Sequence, residues 1–134
     1  MPPYLRYELS ESVMNLVEKL SLYSPFKIKL SISENLPPVE HSLKASVYRI
    51  IQEFANNTTK YAKAKKLTIS IKENNNKLEI ALKDDGIGFE VNHESLTKGI
   101  GWSNIISRIK AFSDDYYISS KKNQGTELLF SISL

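Results

Sequence analysis

Apolar residues recur at intervals of three and four near the start of the chain. Leu9, Val13, Leu16, Val17 and Leu20 form one such stripe, which predicts an amphipathic helix over about 8–23, ended by Pro25. From Lys27 to Ser33 the period changes to two, with Ile28, Leu30 and Ile32 on one face and Lys or Ser on the other, the pattern of a half-buried strand. After Leu36-Pro37-Pro38 comes the longest helical pattern, Leu43, Val47, Ile50, Ile51, Phe54 and Thr58, running to about Ala64. Leu67–Ile71 and Leu78–Leu82 alternate again across Asn74-Asn75-Asn76, whose side chains tolerate positive φ. They predict a hairpin that packs one face on the long helix. Residues 89–98 have no period and read as a surface loop. Trp102, Ile105, Ile106 and Ile109 mark a helix opening directly after Gly101 and running to Phe112. Tyr116–Ile118 and Leu128–Ile132 predict two closing strands, broken at Asn123-Gln124-Gly125.

The order helix, strand, helix, two strands, loop, helix, two strands carries no repeat, low-complexity tract or linker. It predicts one domain over 1–134, a sheet covered by helices on one side. At 134 residues and 41% hydrophobic, the chain can bury a core without disulfides or a structural metal. It has no cysteine, which excludes a disulfide or a thiolate zinc site and fits a reducing compartment. No apolar run approaches the ~18 residues that span a bilayer. Met1-Pro2-Pro3-Tyr4 is not a basic segment followed by an apolar one, so a cytoplasmic location is expected. The net charge of +3 is too small to argue for nucleic acid. Lys60, Lys63, Lys65 and Lys66 cluster, but no aromatic platform accompanies them, so no nucleic-acid partner is expected. With only His41 and His93 and no cysteine, nucleophilic catalysis has little support.

All five prolines lie in the first 38 residues and all five glycines from 86 onward. Two Gly-x-Gly pairs in so short a stretch keep backbone bare, which suits tight turns or close approach to a ligand. At about 100° per residue, Glu53 and Asn57 fall on the edge of the buried stripe of the long helix. As i, i+4 neighbours they can bring a carboxylate and an amide oxygen to one point, as a hard cation or a bound water requires. Rim residues bonding each other would give the same pattern. Lys60 and Tyr61 extend that edge with a cation and a phenol, both suited to an anion and both ordinary at a surface. Asp84-Asp85-Gly86-Ile87-Gly88 follows a half-buried strand. Asp-Gly is a common hairpin signal, yet no returning strand follows. A carboxylate at a strand end beside bare backbone can instead accept hydrogen bonds from an exocyclic amine. Gly99-Ile100-Gly101 opens a helix with unpaired amides and a positive dipole end, physically a phosphate site, although glycine also precedes helices for conformational reasons alone.

Read together, Glu53-x-x-x-Asn57, Asp84-x-Gly86-x-Gly88, an aperiodic loop, Gly99-x-Gly101 and Gly125-Thr126 resemble the ATP-binding fold of histidine kinases, gyrase, the ninety-kilodalton chaperones and the mismatch-repair ATPases. The likeness covers about 9–134. Tyr48–Glu53, Asn56-Asn57-x-x-Lys60-Tyr61-Ala62 and Gly99-Ile100-Gly101-Trp102-x-Asn104-Ile105-x-x-Arg108 look like two-component sensor kinases, especially the nitrate-sensor branch. The resemblance implies an α/β (α+β) two-layer sandwich of the Bergerat type, with a mixed sheet of about five strands and about three helices on one face. It implies ATP and Mg²⁺ as cofactors. Asn57 would ligate Mg²⁺ and Glu53 would order a water on that ion. Lys60 and Tyr61 would touch phosphates, and Asp84 would accept the adenine amine. Gly86, Ile87 and Gly88 would pass close to the base, and Thr126 would assist through water. Residues 89–98 would form the lid, with Gly99, Ile100 and Gly101 offering amides to the phosphates. Tyr61 stands where the branch often has histidine, and Trp102, expected simply to pack, where leucine is usual. Neither His41-Ser42 nor His93-Glu94 fits a phosphate-accepting histidine. The helix over 1–23 would therefore lead from a phosphoacceptor domain outside this chain, in a membrane-anchored parent, with a response regulator as partner and the isolated domain monomeric. The rivals are an anti-sigma-type serine kinase and a nucleotide-sensing interaction module.

Overall fold

In a computed structural model, the structure describes residues 8–34, 36–98, 101–113 and 115–134. Its elements are α1 (Leu9–Tyr23), β1 (Lys27–Ile32), α2 (His41–Asn57), a π-helical turn (Thr58–Ala62), β2 (Lys66–Asn74), β3 (Lys77–Asp84), α3 (His93–Lys98), α4 (Trp102–Lys110), β4 (Tyr116–Ser120) and β5 (Thr126–Ser133).

The five strands form one sheet in the order β1-β2-β3-β5-β4, with β1 parallel to β2 and the other pairs antiparallel. The parallel pair needs a crossover, which α2 supplies. The hairpin β2–β3 closes at Asn74↔Lys77, leaving Asn75 and Asn76 as a two-residue loop with φ of 53° and 61°. Positive φ at both central positions is the mirror-image turn whose twist suits a hairpin. The predicted mixed sheet, layers and element order are therefore found.

One face of the sheet holds the core. Leu67, Ile69 and Ile71 of β2, Leu78, Ile80 and Leu82 of β3, and Leu128, Phe130 and Ile132 of β5 are buried with Val47, Ile50, Ile51 and Phe54 of α2. Leu9, Val13 and Leu16 of α1 and Trp102, Ile105 and Ile109 of α4 complete the cluster. Each such side chain contributes about 1.5–3 kcal/mol when fully buried. The end of β3, flanked by the starts of β2 and β5, meets the end of α2 through Thr58 and Asp84, and the site lies there.

Two local differences from the expected pattern matter. The long helix is α-helical only to Asn57 and then widens. Thr58 and Thr59 each return a side-chain hydroxyl to the carbonyl four residues back, Phe54 at 3.0 Å and Ala55 at 2.9 Å. Such bonds compete with the backbone ladder and bend helices. The segment expected as a plain loop contains α3. Asn92 Oδ1 accepts from the Ser95 amide at 2.8 Å, and Ser95 Oγ accepts from the Asn92 amide at 2.9 Å. This is a reciprocal cap with serine in the place of the usual Glu or Gln.

Candidate functional site

Asp84 is the last residue of β3, flanked in register by Leu67 of β2 and Thr126 of β5. Its carboxylate is 4% exposed. Oδ1 accepts from the Gly86 amide at 2.9 Å and Oδ2 from the Thr58 hydroxyl at 3.1 Å. Burial pushes its carboxyl above the ordinary 3.8, and the hydrogen bonds from Gly86, Thr58 and Thr126 offset only part of that. The neighbouring Asp85 behaves in the opposite way. Desolvation would raise it, but the Lys66 and Lys65 amides, at 2.9 and 2.8 Å from Oδ1, together hold it below the usual carboxylate value. Asp85 thereby pins the start of β2 to the end of β3 and fixes the strand end that presents Asp84.

A cavity of about 490 Å³ opens beside Asp84, lined also by Asn57, Tyr61, Gly88 and Thr126 among the expected site residues. Phe54, Thr58, Ala62, Phe89, Ser95 and Trp102 share the lining. Most of this wall is apolar, with few polar groups converging, the form of a small-molecule site. Trp102 packs edge-on against Phe54 at 6.0 Å and tilted against Phe89 at 5.7 Å, so it both packs, as expected, and faces the cavity. Ser95 belongs to α3, within the segment expected to act as a lid.

The threonines are oriented by partners that the sequence alone did not single out. Ser120 Oγ donates to the Gly125 carbonyl at 3.0 Å and accepts from the Phe89 amide at 2.9 Å. With its one proton used, Ser120 accepts from Thr126 Oγ1 at 2.8 Å. The Thr126 oxygen then keeps its lone pairs for the cavity. Thr58 likewise has one proton between two acceptors, Phe54 O and Asp84 Oδ2.

The bare backbone at the glycines allows close packing against neighbouring backbone and side chains. A Cβ at Gly86 would lie 2.2 Å from the Ala62 carbonyl oxygen, which also accepts from the Ile87 amide at 2.7 Å. The chain just beyond β3 passes close against the π-helical turn at Gly86. A Cβ at Gly88 would strike the Lys121 carbonyl. Ile87 is exposed at 44% and lies outside the cavity lining. Gly101, at φ 99°, precedes α4, and a Cβ there would sit 2.6 Å from Asn57 Oδ1. Gly99 and Ile100 lie outside the described residues.

Glu53 and Asn57 lie one turn apart on α2; Asn57 lines the cavity, whereas Glu53 lies outside its lining. Glu53 Oε1 stands 3.5 Å from Arg108 Nε of α4. Glu53 Oε2 and Asn57 Nδ2 are buried with no hydrogen-bond partner. Desolvated, unpaired polar atoms are costly and are rare unless a ligand satisfies them. Lys60 is exposed on the π-helical turn, outside the cavity lining. His41 and His93 are exposed first residues of α2 and α3. Among the described residues no group of three or more His, Asp or Glu gathers to hold a metal, and no helix is long and apolar enough to cross a membrane.

The family described as histidine kinase-, DNA gyrase B- and HSP90-like ATPase matches residues 43–134. The sensor histidine kinase ComP of Bacillus subtilis is 29% identical over 136 residues, covering 98% of this chain and 18% of that protein. The signal transduction histidine-protein kinase/phosphatase DegS of Brevibacillus brevis is 29% identical over 124 residues, covering 92% of this chain and 31% of that protein. The chain thus spans less than a third of each of these two relatives. Among solved structures, the histidine kinase domain of the blue-light activated kinase of Erythrobacter litoralis superposes with a TM-score of 0.75 at 13% identity, over 95% of this chain and 61% of that one.

Proposed function

The chain belongs to the histidine kinase-, DNA gyrase B- and HSP90-like ATPase family, and on that premise we propose that it is the ATP-binding catalytic domain of a sensor histidine kinase. The observation that carries this reading is the buried Asp84 carboxylate at the wall of an apolar cavity, with Asn57 on the same wall and Glu53 one helical turn before it, each holding an unsatisfied polar atom. Asp84 accepts the exocyclic amine of adenine, and Thr126 supports the same edge through water. Gly88, Phe89 and Trp102 enclose the base, and residues 89–98 form the lid over the phosphates. Tyr61, Lys60 and the backbone before α4 meet the phosphate groups.

The unpaired oxygen of Glu53 would fit a water on Mg²⁺, and the unpaired Asn57 Nδ2, a donor, would fit a phosphate oxygen. Mg²⁺ keeps several waters and binds through few protein groups plus substrate phosphates, so the sparse donor set is suitable. When bound, the ion neutralises developing charge on the γ-phosphoryl group. Asn57 would offer its amide oxygen to the ion, and Glu53 would order a water on it. The chain's own contribution is positioning and exclusion of water.

With both histidines exposed at helix starts, the accepting imidazole belongs to a separate helical domain, from which a response regulator then receives the group. The parent is a membrane-anchored protein whose catalytic domain works in the cytoplasm. Incubation with γ-labelled ATP, alone and with a separately produced helical phosphoacceptor hairpin, tests the reading. Acid-labile label on the hairpin, and none on the chain alone, is expected. Acid-stable label on a protein partner would favour the serine-kinase reading, and nucleotide binding without any transfer would favour an interaction module.

A further inference from the structure

Three buried polar atoms without hydrogen bonds, Glu53 Oε2, Asn57 Nδ2 and Arg108 Nε, gather where α4 crosses the last turns of α2. The Arg108–Glu53 approach of 3.5 Å is a charge contact rather than a hydrogen bond. Glu53 is 22% exposed and Arg108 41%, so the guanidinium reaches solvent while its Nε is covered. A surface ion pair of this length does little for stability. Its placement is what matters. Arg108 lies two turns into the helix that Gly101 opens, and Gly101 is pressed against the Asn57 amide. Arg108 and Gly101 therefore join one helix to the metal-facing edge of the other at two points.

We propose that Arg108 is a positioning residue for Glu53. It holds the carboxylate one helical turn from Asn57, which lines the cavity, with Oε1 engaged and Oε2 left open for a water on the bound ion. A contact longer than a hydrogen bond orients the carboxylate without competing for its lone pairs. This inference rests on the nucleotide-binding reading above and deepens it.

Titration calorimetry with a non-hydrolysable ATP analogue, with and without Mg²⁺, tests it on wild type, Arg108→Gln, Arg108→Lys, Glu53→Gln and the double variant, beside the melting temperature of each free protein. Arg108→Gln is expected to lose roughly tenfold of the affinity gained from Mg²⁺ while leaving the Mg²⁺-free affinity unchanged. Arg108→Lys, which keeps the charge, recovers part of that gain. In the Glu53→Gln background, Arg108→Gln has no further effect. An Arg108→Gln protein whose melting temperature falls while the Mg²⁺ gain stays intact would overturn the proposal, because the pair would then be structural only. Equal losses with and without Mg²⁺ would overturn it too. If wild type binds no nucleotide, the nucleotide-binding reading fails with it; if wild type binds with a Mg²⁺ gain that Arg108 does not alter, only the role of Arg108 fails.

Discussion

Asp84 sits where a carboxylate is costly, and the cost has a sign that can be measured. Burial raises its folded-state value above 3.8. The fold therefore favours the protonated form, and that share of stability is fully present below 3.8 and is lost as pH rises through the raised value. Ligand binding runs in the opposite sense, because an ionised carboxylate is the better acceptor for an amine. Asp84→Asn is expected to keep or raise the melting temperature at neutral pH. Its amide oxygen can still accept from Gly86, and its NH₂ can donate to Thr58 while the Thr58 hydroxyl turns to Phe54. The same variant should weaken adenine nucleotide binding about ten- to a hundredfold, the scale of one charge-assisted hydrogen bond. Melting curves across pH 4–8 check the first part, with the gap between variant and wild type widening as pH rises. Nucleotide titrations check the second.

At the scale of elements, the junction of the π-helical turn with the end of β3 holds the site in shape. Gly86→Ala would push a methyl group into the Ala62 carbonyl, backbone against backbone. Overpacking of this kind costs about 1–3 kcal/mol. Circular dichroism melts should show a fall of about 4–12 °C for a domain of this size. Nucleotide affinity should fall with it, because the Gly86 amide holds Asp84. This junction was only partly legible in the chain. The Asp84-x-Gly86 spacing is visible and its bare backbone fits a tight turn or a ligand, but nothing local tells Gly86 that Ala62 lies against it. The π-helical turn was hidden because the apolar spacing through Thr58 fits an α-helix, and the signal against it, two adjacent threonines bonding back, is carried by hydroxyls rather than by period. The missed α3 had a readable cap in Asn92-x-x-Ser95, overlooked because its residues lack a hydrophobic stripe. By contrast, the hairpin and the sheet strands were legible because period-two alternation and three successive asparagines each point to one backbone conformation.

At the scale of the whole molecule, one sheet face and the helices on it make a single core, and the candidate site is the place where that core opens at the strand ends. Site residues far apart in sequence, Asn57, Asp84 and Thr126, share one cavity through this packing. Their order along the chain carried the family resemblance, whereas Ser120 and Thr58, which orient the polar groups, emerged only from the fold. Arg108 stood in the sequence as part of that resemblance, and its contact with Glu53 emerged only when α4 was packed on α2. The central claim is that this cavity takes a magnesium nucleotide. Calorimetric titration of wild type, Asn57→Ala and Asp84→Asn with ADP and an ATP analogue, with and without Mg²⁺, tests it most directly. Saturable binding that Mg²⁺ strengthens is predicted, with Asn57→Ala losing the metal dependence and Asp84→Asn weakening nucleotide binding about ten- to a hundredfold. A folded wild-type chain that binds neither nucleotide at millimolar concentration would contradict the claim.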